Sequence, residues 1–400
     1  LEKVIIPDCA GFIGSGAFKN CVSLKEIKIP ASVECFGDST FENCTNLSEI
    51  KIPTSVISLD KSIFKNCISL REISIPASVT SLGENCFAGC SSLTEITIPG
   101  SIEGIHKDAF ADCIGLEKVV IQRGVGFINK CSFKNCVKLK EVEISDSVLA
   151  LRESAFENCT SLKEIFIPNS VLSFGESCFA GCENLEKVVM PEHIEFISKG
   201  TFKNCTNLKE ISIPNSVTYL GDGAFENCIS LKEIFIPNSA TYLGEGCFVG
   251  CKNLEKAVMQ DGSKYISISA FKNCTNLKEV SIPSSVTYFG DGAFENCVNL
   301  KEILIPNSVT YLGKGCFVSC TSLTEITIPS SVRGMYPKTF TGCKNLEKVV
   351  IQEGVGGVNE SAFFNCEKLH SIVYCGRVYN LRNFMRAFRA RGGKAIFVRK

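Results

Sequence analysis

The sequence predicts a solenoid of about 16–17 short turns, in the α/β class but mostly β. It is expected to wind as a curved right-handed superhelix with a parallel β-sheet on one face. Sixteen cysteines, from Cys21 to Cys366, recur every 23 residues without insertion or deletion. Each has Phe three residues before it and Leu three residues after it, as in Phe202, Cys205 and Leu208. One such unit cannot bury its own apolar side, whereas stacked units can.

A strand is predicted directly after the Leu of each repeat. The stretch alternates apolar and polar residues, with Ile or Val six residues after the cysteine in every repeat except at Ala257. That period of two is typical of a strand. In eleven of the sixteen repeats Pro follows, as at Pro214, and it closes the strand because it has no N–H to donate. Asn, Ser and Gly residues then predict turns.

The pattern divides the chain into two parts. Residues 1–375 hold sixteen 23-residue repeats plus a partial N-terminal one. Because Leu1 lies part-way through a repeat, we expect further sequence before it. Residues 376–400 break the period and carry eight Lys or Arg and no acid. Phe384, Met385 and Phe388 have helical spacing, and residues 395–398 can form a strand. This predicts a basic cap of helix plus strand, with head-to-tail docking onto another acidic body as the alternative.

The repeat resembles a known family. The motif L-x-x-I-x-I-P-x-S-V-x-x-L-G-x-x-A-F-x-x-C runs from residue 1 to about 375. It is similar to the 23-residue leucine-rich repeats of the BspA-like family. The resemblance implies a leucine-rich-repeat solenoid and a binding role, since several members are regarded as bacterial or protist surface adhesins that bind host or bacterial proteins.

Nothing in the sequence predicts an enzyme. The three histidines, His106, His193 and His370, lie in distant turns, so no nucleophile and base can meet in one site. The 24 cysteines are interpreted as small inward residues, because no third or fourth metal ligand accompanies them. We therefore predict no catalytic residue, no cofactor and no metal. A net charge of zero gives no reason to expect nucleic acid, and no apolar run is long enough to span a membrane.

Two outward columns on the predicted strand are candidates for binding a protein partner. The first, five residues after the cysteine, is mostly Glu and is interrupted by Lys118, Lys187, Lys256 and Lys348. It is either a charge-balanced solvated face or a patterned docking surface. The second, seven residues after the cysteine, becomes apolar in later turns, which favours an interaction site over simple ladder stabilisation. The candidate residues in these columns are Glu210, Glu233, Glu279, Glu302, Phe166, Val189, Phe235, Val258 and Leu304.

A third column places tyrosine in five consecutive turns on another face. Tyrosine combines apolar area with a hydroxyl and is enriched at binding hot spots, although stacking along the ladder explains the column equally well. The residues are Tyr219, Tyr242, Tyr265, Tyr288 and Tyr311.

These features predict a non-enzymatic protein-binding scaffold that engages its partner along an extended face. The family resemblance implies an adhesin-like protein at the cell surface or secreted. The alternative is an intracellular scaffold that lies along a filament or large assembly. Many free thiols suit a reducing compartment, and the N-C-T sequons at Asn43, Asn158, Asn204 and Asn273 would place glycans beside buried cysteines. The sequence leaves the compartment open.

Overall fold

A computed structural model describes residues 3–395, which form a parallel β-solenoid. It divides into two compact units, the first comprising Leu1–Ile194 with Asn204–Thr206 and the second Glu195–Lys203 with Asn207–Lys400. The predicted solenoid class is confirmed in each unit. Most turns contribute two short strands on different sides, and we call the two resulting sets of strands the first row and the second row.

In unit 1 the first row holds the strands that follow the repeated Leu, and the second row holds strands of two residues. The first-row strands are Lys3–Ile5, Glu26–Lys28, Glu49–Ile50, Glu95–Ile98, Lys118–Ile121, Glu141–Ile144, Glu164–Phe166 and Lys187–Val189. The second-row strands are Phe12–Ile13, Cys35–Phe36, Ser58–Leu59, Ser81–Leu82, Gly104–Ile105, Phe127–Ile128, Ala150–Leu151 and Ser173–Phe174. Strands pair only within their own row and run parallel. The eight strands of the second row form one sheet.

Unit 2 repeats this arrangement. Its first-row strands are Glu233–Ile236, Lys256–Met259, Glu279–Ser281, Glu325–Ile328, Lys348–Ile351 and Ser371–Tyr374, the last of which is joined by the antiparallel strand Arg377–Tyr379. Its second-row strands are Phe196–Ile197, Tyr219–Leu220, Tyr242–Leu243, Tyr265–Ile266, Tyr288–Phe289, Tyr311–Leu312, Gly357–Val358 and Lys394–Ala395.

The core of each unit is a set of ladders. The repeated Leu and Phe are almost all fully buried, and successive Phe rings stack, for example at 5.1 Å between the centroids of Phe87 and Phe110 and 5.4 Å between Phe225 and Phe248. Pairing at exactly one repeat apart, as for Lys118 and Glu141, holds every residue type in its own column. Adjacent strands lie about 4.8 Å apart, so the ring spacing follows directly from the 23-residue period.

One left-handed backbone position recurs in every turn and explains the choice of residue there. The residue just before the ladder cysteine has a positive φ in turn after turn, for example 62° at Asn43 and 60° at Asn158. Asn and Gly tolerate this conformation best. The Asn side chains also form a ladder, since Nδ2 of Asn43 donates to Oδ1 of Asn20 at 2.7 Å and Nδ2 of Asn158 to Oδ1 of Asn135 at 2.8 Å. These hydrogen bonds between successive Asn side chains therefore stabilise the left-handed turn position.

The C-terminal segment contains the longest helix of the described residues. The helix, α1, spans Leu381–Ala390, and Asn380 caps it by accepting from the N–H of Asn383. Phe384 and Phe388 are fully buried against Tyr374. A 3-10 helix, Glu360–Phe363, precedes it. The predicted helix is present, and of the predicted closing strand only Ala395 lies within the described residues; the division into solenoid and cap stays a prediction.

Candidate functional site

The predicted Glu column lies exposed on the first row. Glu210, Glu233, Glu279 and Glu302 are all exposed. They lie in successive turns of unit 2, with Lys256 taking the position in the turn between Glu233 and Glu279. Lys256 pairs in register with Glu233 on one side and Glu279 on the other, and its Nζ lies 3.5 Å from an Oε of Glu279. No described ion pair involves Glu210, Glu233 or Glu302.

Strand pairing in the first row follows the charge of this column. Strands that carry Lys pair with Glu strands, as at Lys118 with Glu95 and Glu141, and at Lys348 with Glu325. The carboxylates of Glu143 and Glu141 raise the pKa of Lys118 above its ordinary value through hydrogen bonds of 2.8 and 2.9 Å. Opposite charges directly across two strands stabilise the pair, whereas like charges destabilise it.

Where three glutamates follow one another, the middle segment is unpaired. Residues 72–75 lie between the Glu49 and Glu95 strands, and residues 302–305 between the Glu279 and Glu325 strands; neither segment has a described backbone pairing. Glu26 and Glu49 are the exception, since they pair in register. Like-charge repulsion between neighbouring glutamates favours such open segments. Shallow grooves lie beside residues 72–75, and Glu72, Ser74 and Thr97 help to line them.

The apolar column is exposed as its pattern predicts. Phe166 and Val189 in unit 1 are 64% and 39% exposed. In unit 2 Phe235 is 58% and Leu304 78% exposed, while Val258 is half-buried. Leu304 lies on the open segment 302–305, so both its side chain and the surrounding backbone lack partners among the described residues. These side chains lie outside the fully buried core.

The tyrosine column forms part of a longer aromatic ladder in the second row of unit 2. Rings of Tyr219 and Tyr242 stack at 4.9 Å, and those of Tyr288 and Tyr311 at 4.6 Å. Two members were missed from the sequence: Phe196, 6.4 Å from Tyr219, and Tyr336, 4.7 Å from Tyr311. Phe196 falls in the same repeat position as the tyrosines, which could have identified it.

The ladder is interrupted between Tyr242 and Tyr265. The described residues show no ring contact between these two, and the second row is divided there into two three-stranded sheets. The N–H groups of Thr241 and Thr287 each bond the carbonyl one turn before, at 3.0 and 2.9 Å, but no described bond joins the N–H of Lys264 to the carbonyl of Thr241. Tyr242 and Tyr265 are the most exposed tyrosines of the column, at 38% and 47%.

The ladder cysteines have a structural role. The Sγ of Cys136 donates to the carbonyl of Phe110 in the preceding turn at 3.3 Å, and Cys251 donates to Phe225 at 3.1 Å. None of the 24 cysteines forms a disulfide. Burial raises the pKa of the Cys44 thiol to about 11. A protonated, hydrogen-bonded thiol is a poor nucleophile, so these residues stabilise the stack.

Other chemistry finds little support in residues 3–395. They contain no cluster of three His, Cys, Asp or Glu side chains able to hold a metal ion, and no helix long and apolar enough to cross a membrane. The basic C-terminal segment exposes Arg382, Arg386 and Arg389 on one side of α1, where Arg389 contacts Glu360.

Comparison with known proteins agrees with this architecture. The family model described as BspA type leucine-rich repeat region (6 copies) matches residues 11–140, 126–255 and 264–389. A leucine-rich repeat protein from Bacteroides ovatus is 31% identical, with a TM-score of 0.74 over 93% of this chain and 91% of its own. No curated protein matches the chain.

Two further solved structures are similar. A leucine-rich cell surface protein from Faecalibacterium prausnitzii is 24% identical, with a TM-score of 0.41 over 94% of this chain and 88% of its own. A leucine-rich repeat protein from T. pallidum is 28% identical, with a TM-score of 0.37 over 46% of this chain and 78% of its own. With its repeats matched over most of their length, the chain belongs to the family of BspA-type leucine-rich repeat proteins.

Proposed function

We propose that this chain is a non-enzymatic protein-binding scaffold that acts as an adhesin-like protein at the cell surface. The observation that carries the proposal is the exposure of Phe235 and Leu304, at 58% and 78%, on the first row of unit 2. Large apolar side chains that contribute nothing to the core cost solubility, and they mark interaction sites when they recur along one face. Membership of the BspA-type family supports the surface location, since that family resemblance implies an adhesin-like surface role.

The Glu residues beside these side chains set the character of the face. Glu233 and Glu302 lie two residues before Phe235 and Leu304, so each apolar contact is accompanied by an exposed carboxylate. Apolar contacts supply affinity, whereas surrounding charges select the partner and orient it. The face therefore fits a protein surface with apolar side chains ringed by Lys or Arg.

Photo-cross-linking on source cells tests the binding face. A photoreactive amino acid replaces Phe235 in the full chain, and a matched variant carries it at Thr97, the same repeat position in unit 1 and also exposed. We expect a discrete cross-linked protein from position 235 and much less from position 97. Equal labelling from both positions, or none from either, would contradict the proposal.

Protease shaving of intact source cells tests the location. Release of solenoid peptides while the cells stay sealed supports the adhesin-like role. Peptides that emerge only after lysis favour the second candidate, an intracellular scaffold along a filament or assembly. That candidate draws on the reduced thiols, since a reducing compartment keeps cysteines in this state.

A further inference from the structure

The C-terminal segment concentrates arginine, which the rest of the chain uses sparingly. Residues 376–400 contain six of the ten arginines and only two of the 32 lysines. Residues 1–375 contain four arginines and 30 lysines. Lysine supplies positive charge equally well, but only the guanidinium group of arginine presents a planar fork of donors that pairs with two oxygens of one anion. The change from lysine to arginine therefore indicates recognition of an oxyanion as well as charge.

Three of these arginines form a row along the outer side of α1, which we call the arginine row. Residues three and four positions apart share one helix face, so Arg382, Arg386 and Arg389 lie within about 11 Å of helix length. Arg382 and Arg386 are exposed and form no described ion pair. Phe384 and Phe388, on the opposite side of α1, are fully buried. The apolar side thus anchors the helix, and the cationic side is directed toward solvent.

The arginine row opposes the stability of its own helix. Arg382 lies in the first turn of α1, which contains no acidic residue, so its charge meets the positive end of the helix dipole. Arg382 and Arg386 are also like charges at a spacing of four residues, which is unfavourable in a helix. Proteins break such local rules mainly at functional sites. The row is therefore better explained by a ligand than by the fold.

The charge density of the segment selects the class of ligand. Residues 376–395 carry six cations and no acid, whereas charges of both signs alternate on the solenoid, as at Lys118 with Glu141. A second copy of the chain is therefore a poor match. No aromatic ring of α1 is exposed to stack on nucleic-acid bases, and no large apolar side chain of α1 is exposed to enter a membrane. A linear polymer of closely spaced oxyanions fits these conditions.

We propose that the arginine row of α1 binds a sulfated linear polysaccharide. Each guanidinium group pairs with the oxygens of one sulfate through two parallel hydrogen bonds, and successive sulfates meet successive arginines. The row lies on α1 and not on the first-row strand that carries Phe235. The inference therefore goes beyond the proposed function, because it adds a carbohydrate ligand at a second place on the molecule.

Binding of labelled oligomers to the purified full chain tests the proposal. The probes are heparin, which is densely sulfated, hyaluronan, which carries carboxylates and no sulfate, and a DNA duplex, all of matched length. Fluorescence anisotropy measures each dissociation constant. We expect heparin to bind at least about 5-fold more tightly than either control, since one lost charge pair at an exposed site changes affinity by up to about 5-fold. Added salt should weaken the binding by screening.

Variants locate the effect on the arginine row. Arg382→Gln combined with Arg386→Gln should weaken heparin binding about 4- to 25-fold, from about 2- to 5-fold for each arginine. Lysine at both positions keeps the charge but not the fork, so it should restore only part of the affinity. Lys28→Gln combined with Lys51→Gln is the matched control, because it removes two exposed cations from unit 1. Thermal unfolding checks the fold, and the arginine variant should not lose stability since it relieves repulsion.

Four outcomes would overturn the inference: heparin binding that survives loss of both arginines, an equal loss in the Lys28 and Lys51 control, hyaluronan or DNA that binds as tightly as heparin, or full affinity with lysine at both positions. Self-association that is abolished in the arginine variant, without heparin binding, would instead assign the row to a second copy of the chain. The cross-link from position 235 decides the proposed function separately, because it requires neither the row nor the polysaccharide.

Discussion

The second rows of the two units differ although their repeats share one period. In unit 1 the outward position of this row carries mostly small side chains, including Ser58, Ser81 and Ala150, with Phe12 and Phe127 as the aromatic exceptions, and its eight strands form one sheet. In unit 2 the same position carries the aromatic ladder from Phe196 to Tyr311, and the row is divided between Tyr242 and Tyr265. The larger side chains thus accompany the less continuous sheet.

The difference shows that the core and the surface of the repeat vary independently. Both units stack the same buried Phe rings at nearly the same spacing, 5.2 Å for Phe64 and Phe87 and 5.5 Å for Phe202 and Phe225. The interruption arises where Ala240 and Ser263 replace Val in the core. A change of two buried residues therefore alters a surface built from other residues, while the period is unaffected.

The largest expected effect comes from removing a stacked ring in each unit. Phe87→Ala and Phe225→Ala should each cost about 3–5 kcal/mol, because each leaves a cavity between two aromatic neighbours. Urea unfolding followed by circular dichroism measures the cost, and hydrogen exchange locates it to the mutated turn. Costs that differ strongly between the two variants would show that the two cores are not equivalent.

A smaller effect is expected from filling the core beneath the interruption between Tyr242 and Tyr265, where Ala240 and Ser263 take the buried position that Val217 and Val286 fill in the neighbouring turns. Ser263→Val should raise stability by about 1 kcal/mol, since burying the new side chain gains about 1.5–3 kcal/mol and the lost hydroxyl bond costs about 1 kcal/mol. It should also slow hydrogen exchange at the N–H of Lys264 as the two sheets join. Val217→Ser is the reverse control and should open its own rung. Unchanged exchange at Lys264 would show that the interruption does not depend on these core residues.

Charge variants on the first row test why residues 302–305 are open. Glu302→Lys places a positive charge between Glu279 and Glu325 and should add about 0.2–1 kcal/mol per cross-strand pair. Lys256→Glu, which creates a run of like charges, should lower stability by a similar amount. Thermal unfolding at low and high salt measures both, because salt screens the difference. If the two variants shift the midpoint in the same direction, repulsion is not the cause.

The smallest effect is a pH dependence of the aromatic ladder. Burial, Asp291 and neighbouring tyrosines raise the pKa of Tyr311 from 10.0 to about 12. The folded state holds the phenol proton more tightly, so this contribution to stability is complete below about pH 10 and is lost as the pH rises toward 12. Absorbance at 295 nm should show the late titration, and Tyr311→Phe should remove that part of the pH dependence. Titration of all tyrosines near pH 10 would contradict this expectation.

The fold could be predicted from the sequence because its signal is repeated sixteen times. The 23-residue spacing of Phe, Cys and Leu specifies which side chains meet in the next turn, and the structure stacks them accordingly. The family was recognised from the same motif, and the match over most of the chain confirms it. Outward exposure of Phe235 and Leu304 also follows from strand alternation, whereas their binding role stays a prediction.

Other features depend on three-dimensional detail that a repeat pattern does not contain. Strands of two residues, such as Tyr219–Leu220, are too short to show periodicity, so the second row was not anticipated. The thiol of Cys136 was interpreted as an apolar filler, yet its bond to the carbonyl of Phe110 depends on the stagger between turns. The interruption at Tyr265 depends on the combined volume of Ala240 and Ser263, which lie in different turns.

The hydrogen bonds that join one turn to the next also determine how the chain responds to mechanical load. A force that peels one turn from its neighbour breaks only that turn's bonds and releases about 80 Å of slack, for 23 residues of extended chain. Where Lys264 lacks its bond to Thr241, peeling meets less resistance. A chain stacked in this way yields in steps and dissipates a pull over many small ruptures, and the turns that lack backbone pairing give way first.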